Sequence, residues 1–244
     1  MKRFKPTYKA FGERSILIEW PQEIDVHILK DIINFKEEIQ KFNIKPLVEL
    51  ISAYNSLLLI YNEFYKGFDV EIEVIEEIYS SKRPVYTSSR VLWKIPVCYH
   101  VDFGVDLAMI SKDKNMTVPE VVQWHSSAIY TVYFIGFLPG FLYLGGLNEK
   151  LYSPRKATPR LKVEKGAVAI GGGQTGVYPN ESPGGWNIIG NTPVSFFDVS
   201  NADPCFAKPG DALVFYPISV KEHQEIKALV DGNMYKLKHE IIYD

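Results

Sequence analysis

Hydrophobic positions in the first eighty residues follow two different periods. Ile16-Leu17-Ile18 inside residues 15–20 reads as a strand, ended by Pro21. Beyond Asp25, a candidate N-cap, Ile28, Ile32, Phe35, Ile39 and Phe42 recur at helical spacing, with Lys and Glu on the opposite face. Residues 46–53 and 56–61 read as two strands around a turn at Tyr54-Asn55. Phe68, Ile72, Ile75 and Tyr79 form a second helical stripe. The order β-α-β-β-α predicts an α+β domain of the ferredoxin-like βαββα type.

Neither period survives across residues 80–90, a polar stretch with one proline, so the domain boundary is expected there: an α/β domain over 1–84 and a second domain over 85–244. The second part opens with a strand over 92–98 and a short helical segment near 105–110. Thr117-Val118-Pro119-Glu120 then spells a capping box with proline in the first turn, starting a helix through His125 to about Ala128. Short β-type runs follow at 130–135, 167–170, 194–197 and 212–216, separated by Gly- and Pro-rich turns. Many short strands with such punctuation predict a mainly-β barrel or sandwich. Residues 220–229 suit a helix, and 234–242 a further strand or helix.

Composition narrows the partners more than the fold. Of the 244 residues, 46% are hydrophobic and 23% charged, which excludes a disordered or fibrous chain. Lys and Arg number 27 against 29 Asp and Glu, and without a basic excess neither nucleic acid nor an anionic membrane surface is expected as a partner. Two cysteines, Cys98 and Cys205, make neither a disulfide framework nor a zinc site, and no metal site is readable. No apolar run approaches the roughly 20 residues that span a bilayer. The N-terminus has no apolar signal-peptide core, so a soluble, cytoplasmic protein is expected.

The candidate chemistry gathers after residue 130. Gly171-Gly172-Gly173-Gln174-Thr175-Gly176 matches G-x-G-x-x-G in form. A dinucleotide fingerprint needs a helix next, and Pro179 and Pro183 forbid one. No phosphate-binding P-loop motif occurs either. Two dense Gly/Pro segments, 136–147 and 171–190, suit loops whose backbone N–H groups meet a carboxylate or phosphate. Between them, Pro154-Arg155 and Pro159-Arg160 place two guanidinium groups five residues apart. They suit bidentate anion contacts and equally suit solvated loop charges.

An ordered string of residues carries a family resemblance. It runs from His125 through Tyr130, Val132, Phe134, Gly136-Phe137, Pro139-Gly140-Phe141 and Tyr143-Leu144 to Pro154-Arg155 and Thr158-Pro159-Arg160. It continues through Gly166, Val168-Ala169-Ile170-Gly171-Gly172, Gln174 to Pro179, Ser182 to Trp186, Gly190, Thr192-Pro193 and Pro209-Gly210-Asp211. With these residues the chain resembles the carboxyltransferase subdomain C/D family, also called allophanate hydrolase subunit 1. Its members include a 5-oxoprolinase subunit (PxpB) and the kinase inhibitor KipI. One departure stands at Asn191, where relatives usually carry Arg.

The resemblance implies a cyclophilin-like barrel after the small α/β domain. It also implies partners: a second cyclophilin-like subunit (PxpC or KipA type) and a PxpA-type subunit. The activity implied is ATP-dependent opening of 5-oxo-L-proline to L-glutamate, with ATP as co-substrate. The alternatives are inhibition of a sensor histidine kinase, or part of an allophanate- or urea-type enzyme.

On this reading His125 suits a general acid or base, against the blander role of a satisfied helical histidine. Gln174 suits an amide face and Tyr178 a developing oxyanion. Arg155 and Arg160 would hold a carboxylate or phosphate, the blander role being a bridge between loops. Ser182, Gly184 and Gly185 would cradle an anion, and Trp186 and Phe141 would wall the pocket.

Overall fold

The computed structural model describes residues 4–42, 44, 47–63, 67–81 and 89–243. They divide between two compact units, Met1–Thr87 and Ser88–Asp244. Most of the aperiodic stretch expected to hold the boundary, residues 82–88, lies outside the described residues.

The first unit is a four-stranded antiparallel sheet with two helices. Its elements are β1 (Thr7–Ala10), β2 (Ser15–Glu19), α1 (Val26–Phe42), β3 (Leu47–Ser52), β4 (Ser56–Tyr61) and α2 (Phe68–Ser80), with strand order β1-β2-β4-β3. Alternation sets which face is buried. Ile16 and Ile18 of β2 and Leu57, Leu59 and Tyr61 of β4 point into one core, with Leu17, Leu58 and Ile60 half-buried on the other face. The α1 stripe Ile28, Ile32, Phe35 and Ile39 covers that core, each side chain contributing roughly 1.5–3 kcal/mol by leaving water. Phe42, the last residue of the predicted stripe, is exposed. Within this core, the buried Asp31 carboxylate accepts the Trp20 indole N–H at 2.8 Å and the Tyr79 hydroxyl at 2.6 Å. Strand β1 goes beyond the β-α-β-β-α expectation, because Tyr8 is the one apolar side chain its four residues turn toward the core.

The second unit is built on an eight-stranded sheet. Its elements are β5 (Ser89–Val97), α3 (Leu107–Asp113), α4 (Val118–Ser126), β6 (Ile129–Ile135), β7 (Leu142–Gly145), β8 (Arg160–Val163), β9 (Ala167–Gly171), β10 (Gln174–Val177), β11 (Ser182–Gly184), β12 (Asn187–Asn191), β13 (Ala212–Pro217), α5 (Val220–Asp231) and β14 (His239–Tyr243). The order is β12-β9-β10-β7-β6-β13-β5-β14, and β8 and β11 form a separate ribbon. Inward-facing residues of these strands, with Leu107 and Ile110 of α3 and Val121 of α4, make one large core. The capping box predicted for α4 is formed: Thr117 Oγ1 accepts the Glu120 N–H, and Glu120 accepts the Thr117 N–H at 2.7 Å.

The sheet bends far enough for Cys98, after β5, to exchange two backbone hydrogen bonds with Asn191 at the end of β12. One bridge is not a ladder, and the mixed α/β unit is not a closed barrel. Asn191 works at this seam. Its side-chain amide donates to the Lys165 carbonyl at 3.0 Å, and its side-chain oxygen meets His223 Nε2 of α5 at 2.9 Å.

The sequence reading needs two corrections here. Residues 194–197, expected as a strand, have no strand pairing. Conversely β7, β10, β11 and β12 fall in the Gly/Pro-rich segments expected to be loops. Their glycines are strand residues because something occupies the place of a side chain. A Cβ on Gly176 of β10 would lie 3.2 Å from the Phe141 and Trp186 rings, and one on Gly190 of β12 2.8 Å from the Cys98 carbonyl oxygen.

Candidate functional site

Strands β9 and β10 separate two environments. Val168, Ile170, Thr175 and Val177 face the main core, whereas Ala169, Gly176 and Tyr178 face a second cluster with Phe141, Val163, Trp186 and Ile188. The predicted site residues distribute between these two faces.

His125 lies on the inner side with 0% exposure. Tyr99 O–H meets Nδ1 at 2.7 Å and Thr175 Oγ1 meets Nε2 at 2.8 Å. Thr175 spends its own proton on the Ala169 carbonyl at 3.0 Å, so its oxygen accepts from Nε2–H, and Nδ1 accepts the Tyr99 proton. The ring also stacks on Phe215 at 4.7 Å. Burial pushes its pKa down to about 3. A neutral imidazole with both nitrogens bonded and no exposed edge matches the blander role of a satisfied helical histidine.

The outer side is where the remaining predicted residues meet. Residues 152–160 form an arm across it, fastened at both ends. Ser153 exchanges backbone hydrogen bonds with Gly172, and Asn187 Nδ2 donates to the Pro154 carbonyl at 2.9 Å. Lys156 N–H donates to the Gly185 carbonyl at 2.7 Å. At the far end, Lys156 Nζ and Arg160 Nη2 both reach Asp106 Oδ1, at 2.8 and 2.7 Å. Between these anchors Arg155 is exposed, its guanidinium 5.6 Å from the Trp186 ring centre. Among the described residues Arg155 has no carboxylate partner.

Arg160 is therefore the loop bridge, not a free anion contact. Its Nη2 is committed to Asp106, and its Nη1 is buried without a partner among the described residues. Tyr178 backs the site. It is 2% exposed, and its hydroxyl lies so close to Gly184 that a Cβ there would sit 2.3 Å from it. Burial raises its pKa, partly offset by the Trp186 backbone N–H and by the Arg155 and Arg160 cations. Held this way, Tyr178 is a buried hydroxyl whose oxygen accepts the Trp186 N–H.

Folding engages part of the proposed cradle. Ser182 pairs with Val163 and Gly184 with Arg160 across the ribbon, and Ser182 Oγ donates to the Pro183 carbonyl at 3.2 Å. Gly185 lies outside the ribbon and gives its carbonyl to Lys156. Gln174 shares the outer face by strand alternation but stands at the opposite end of β10 from Tyr178, roughly 13 Å along the strand at 3.3 Å per residue. Phe141 and Trp186 pack edge to face at 5.6 Å and wall the arm's inner side. Phe137 projects from the neighbouring turn at a φ of 65° and is 66% exposed.

Two residues of this region, Lys156 and Asp106, are absent from the sequence reading, and a third, Tyr143, stands there only within the family string. Tyr143 stacks on Phe134 at 4.1 Å and feels the Arg155 charge. Lys156 was within reach, since it follows Arg155 directly. Asp106 was not, because its partners lie about fifty residues away. It is 4% exposed and also accepts the Ile188 N–H at 2.7 Å. Burial alone would raise its pKa; Arg160, Lys156 and that N–H outweigh burial and hold it below the usual carboxylate range.

Comparison with known proteins bears on the same residues. The profile of the carboxyltransferase domain, subdomain C and D, matches residues 6–207. The chain is 36% identical over 204 residues to the 5-oxoprolinase B-subunit of Haemophilus influenzae, covering 84% of this chain and 94% of that one. It is 33% identical over 229 residues to the 5-oxoprolinase B-subunit of Bacillus subtilis, covering 90% and 95%. The crystal structure of TTHA0988 matches with a TM-score of 0.73 at 27% identity, over 84% of this chain and 40% of that longer one. With its matched residues spanning both units and the outer-face arm, the chain belongs to the carboxyltransferase domain, subdomain C and D, family.

Proposed function

We propose that this chain is the PxpB-type component of a heteromeric 5-oxoprolinase, opening 5-oxo-L-proline to L-glutamate with hydrolysis of ATP. The observation that carries the reading is Arg155: an exposed guanidinium without an acidic partner among the described residues, held beside Trp186 by a rigid arm. A lactam carboxylate supplies the charge and geometry it lacks, through two parallel N–H···O bonds. The 5-oxoprolinase B-subunits of the two bacteria support the same reading over most of the chain.

On this reading ATP is a co-substrate. Transfer of its terminal phosphoryl group to the lactam oxygen makes the ring carbon electrophilic. One water then adds to that carbon, the C–N bond breaks, and the nitrogen takes the proton. A second water cleaves the resulting acyl phosphate, so each turnover yields glutamate, ADP and phosphate. This chain contributes substrate binding on its outer face. Groups for proton and phosphoryl transfer come from the other components, a second cyclophilin-like subunit of the PxpC type and a PxpA-type subunit. The β2-β4-β3 order with two helices supports a ferredoxin-like first unit, and the seam at Cys98 and Asn191 supports a cyclophilin-like second unit. No helix among the described residues is long and apolar enough to cross a membrane.

The test is to purify the chain together with its partner subunits and assay ATP-dependent release of glutamate from 5-oxoproline. Turnover by the complex and negligible turnover by the chain alone are expected. An inactive complex would remove the reading, and full activity from the single chain would remove the shared site.

A further inference from the structure

The outer-face arm is held by a residue that plays no part in the reading above. Asp106 sits in the turn before α3, 54 positions from Arg160. One of its carboxylate oxygens takes both Lys156 Nζ and Arg160 Nη2, and the other takes the Ile188 N–H. Its own N–H donates to the Ile188 carbonyl at 2.9 Å, so its backbone is tied to β12 as well. The anchor is therefore rigid, and it grips the arm on the C-terminal side of the exposed part at two points. Lys156, the residue next to Arg155, is bonded by its backbone to Gly185 and by its side chain to Asp106.

Arg155 has no such tether of its own; its side chain stands beside the Trp186 ring. A long, rotamer-rich side chain of that kind binds an anion well only if its backbone is already fixed. Charge favours the same conclusion. Asp106 carries one negative charge and Lys156 and Arg160 two positive ones, so the cluster does not draw Arg155 inward to a carboxylate of its own. Two cations sharing a single oxygen also leave Arg160 Nη1 without a partner among the described residues, which marks a geometry kept for the arm's position.

We propose that Asp106 is a positioning residue: through Lys156 and Arg160 it fixes the arm so that Arg155 stands over Trp186 ready for the substrate carboxylate. This rests on the 5-oxoprolinase reading for the identity of the substrate, and on geometry alone for the arm. Asp106 touches no ligand. Its removal acts on binding through Arg155 and leaves the chemical step to the groups that perform it.

The test is a mutant cycle in the assembled complex with Asp106→Asn, Arg155→Ala and the double variant. In the wild-type background Asp106→Asn is expected to raise KM for 5-oxoproline roughly 10- to 100-fold with little change in kcat. In the Arg155→Ala background it is expected to change KM hardly at all. Equal effects in both backgrounds would overturn the proposal, since a general structural loss does not depend on Arg155. Lys156→Met, which spares Asp106 and Arg160, is expected to give a smaller rise of the same kind and serves if Asp106→Asn folds poorly. Hydrogen exchange on the chain alone supplies a readout free of substrate. Asp106→Asn is expected to speed exchange of the Lys156 amide and leave that of Gly172 unchanged. If the wild-type complex has no oxoprolinase activity, the substrate reading falls, and unchanged protection of the Lys156 amide would overturn the Asp106 proposal too.

Discussion

The two faces of β9 and β10 carry polar groups under opposite rules. Inside, His125, Thr175 and Tyr99 form a closed chain in which each proton has an acceptor, and burial keeps the imidazole neutral. Outside, Asp106, Lys156 and Arg160 close on one another while Arg155 is left with an aromatic ring and, among the described residues, no countercharge. A buried polar group must be paired or it destabilises the fold, so inner polarity answers to stability. An exposed unpaired cation costs little and is available to a ligand. The contrast teaches that in this chain the residue types best suited to catalysis, His125 and Tyr178, lie buried, whereas the plainest loop charge, Arg155, is the exposed one.

Acid should separate the two faces most strongly. The folded His125 resists protonation down to about 3, against 6.5 for a free histidine. Between those values the unfolded chain binds the extra proton, so stability is complete above about pH 6.5 and falls as pH drops toward 3. At about 1.4 kcal/mol per pKa unit the full loss is on the order of 5 kcal/mol. Urea melts of the wild type and His125→Gln across this window check it. The variant should show a flatter acid slope, with some retained because burial lowers the His223 pKa as well. An unchanged slope would mean that His125 is not the closed inner group described.

Arg155→Ala is the reverse case. It should cost the assembled complex roughly 2–5 kcal/mol in kcat/KM, the range for losing one partner of a desolvated charge pair. Its effect on stability should be within about 1 kcal/mol, as for an exposed charge. Paired measurements of turnover and melting temperature decide this, and a large loss of stability would move Arg155 to the structural side.

Arg160→Ala should resemble an inner-face change although Arg160 lies on the outer face. Losing a hydrogen bond to a charged, buried partner costs roughly 1.5–3 kcal/mol, moderated here because Lys156 remains on Asp106. Equilibrium unfolding measures it directly, and a fully stable Arg160→Ala chain would contradict the bridge. The smallest expected effect is at Gly171→Ala, where the new Cβ would meet the Trp186 ring at 2.6 Å. Overpacking of this kind costs roughly 1–3 kcal/mol, and the displaced Trp186 should show a changed fluorescence spectrum.

The unequal legibility of the two units has a physical cause. In the first, Ile16 and Ile18 in β2 and Ile28, Ile32, Phe35 and Ile39 in α1 each report their burial through period alone. In the second, Gly176, Gly184 and Gly190 hide the strands they belong to. Their lack of a side chain reads as a turn until the ring or carbonyl that fills the space is known. The same applies to the site. The Pro154-Arg155 and Pro159-Arg160 repeat marks the arm, yet nothing local distinguishes the guanidinium without a countercharge from the bridging one.

What the sequence determined by itself was therefore the local and the periodic. It set the α1 and α2 stripes, the α4 capping box with His125 on the following turn, the balanced charge and the ordered residues of a known family. Tertiary structure decided what depends on pairs distant in the chain. Asp106 meets Arg160 across 54 positions, His125 meets Thr175 across 50, and Cys98 bridges Asn191 at the seam of the sheet. Whether a charge is bound or free, and a histidine catalytic or sealed, follows from desolvation and hydrogen-bond geometry. Both arise only when the folded chain brings such partners within about 3 Å of each other.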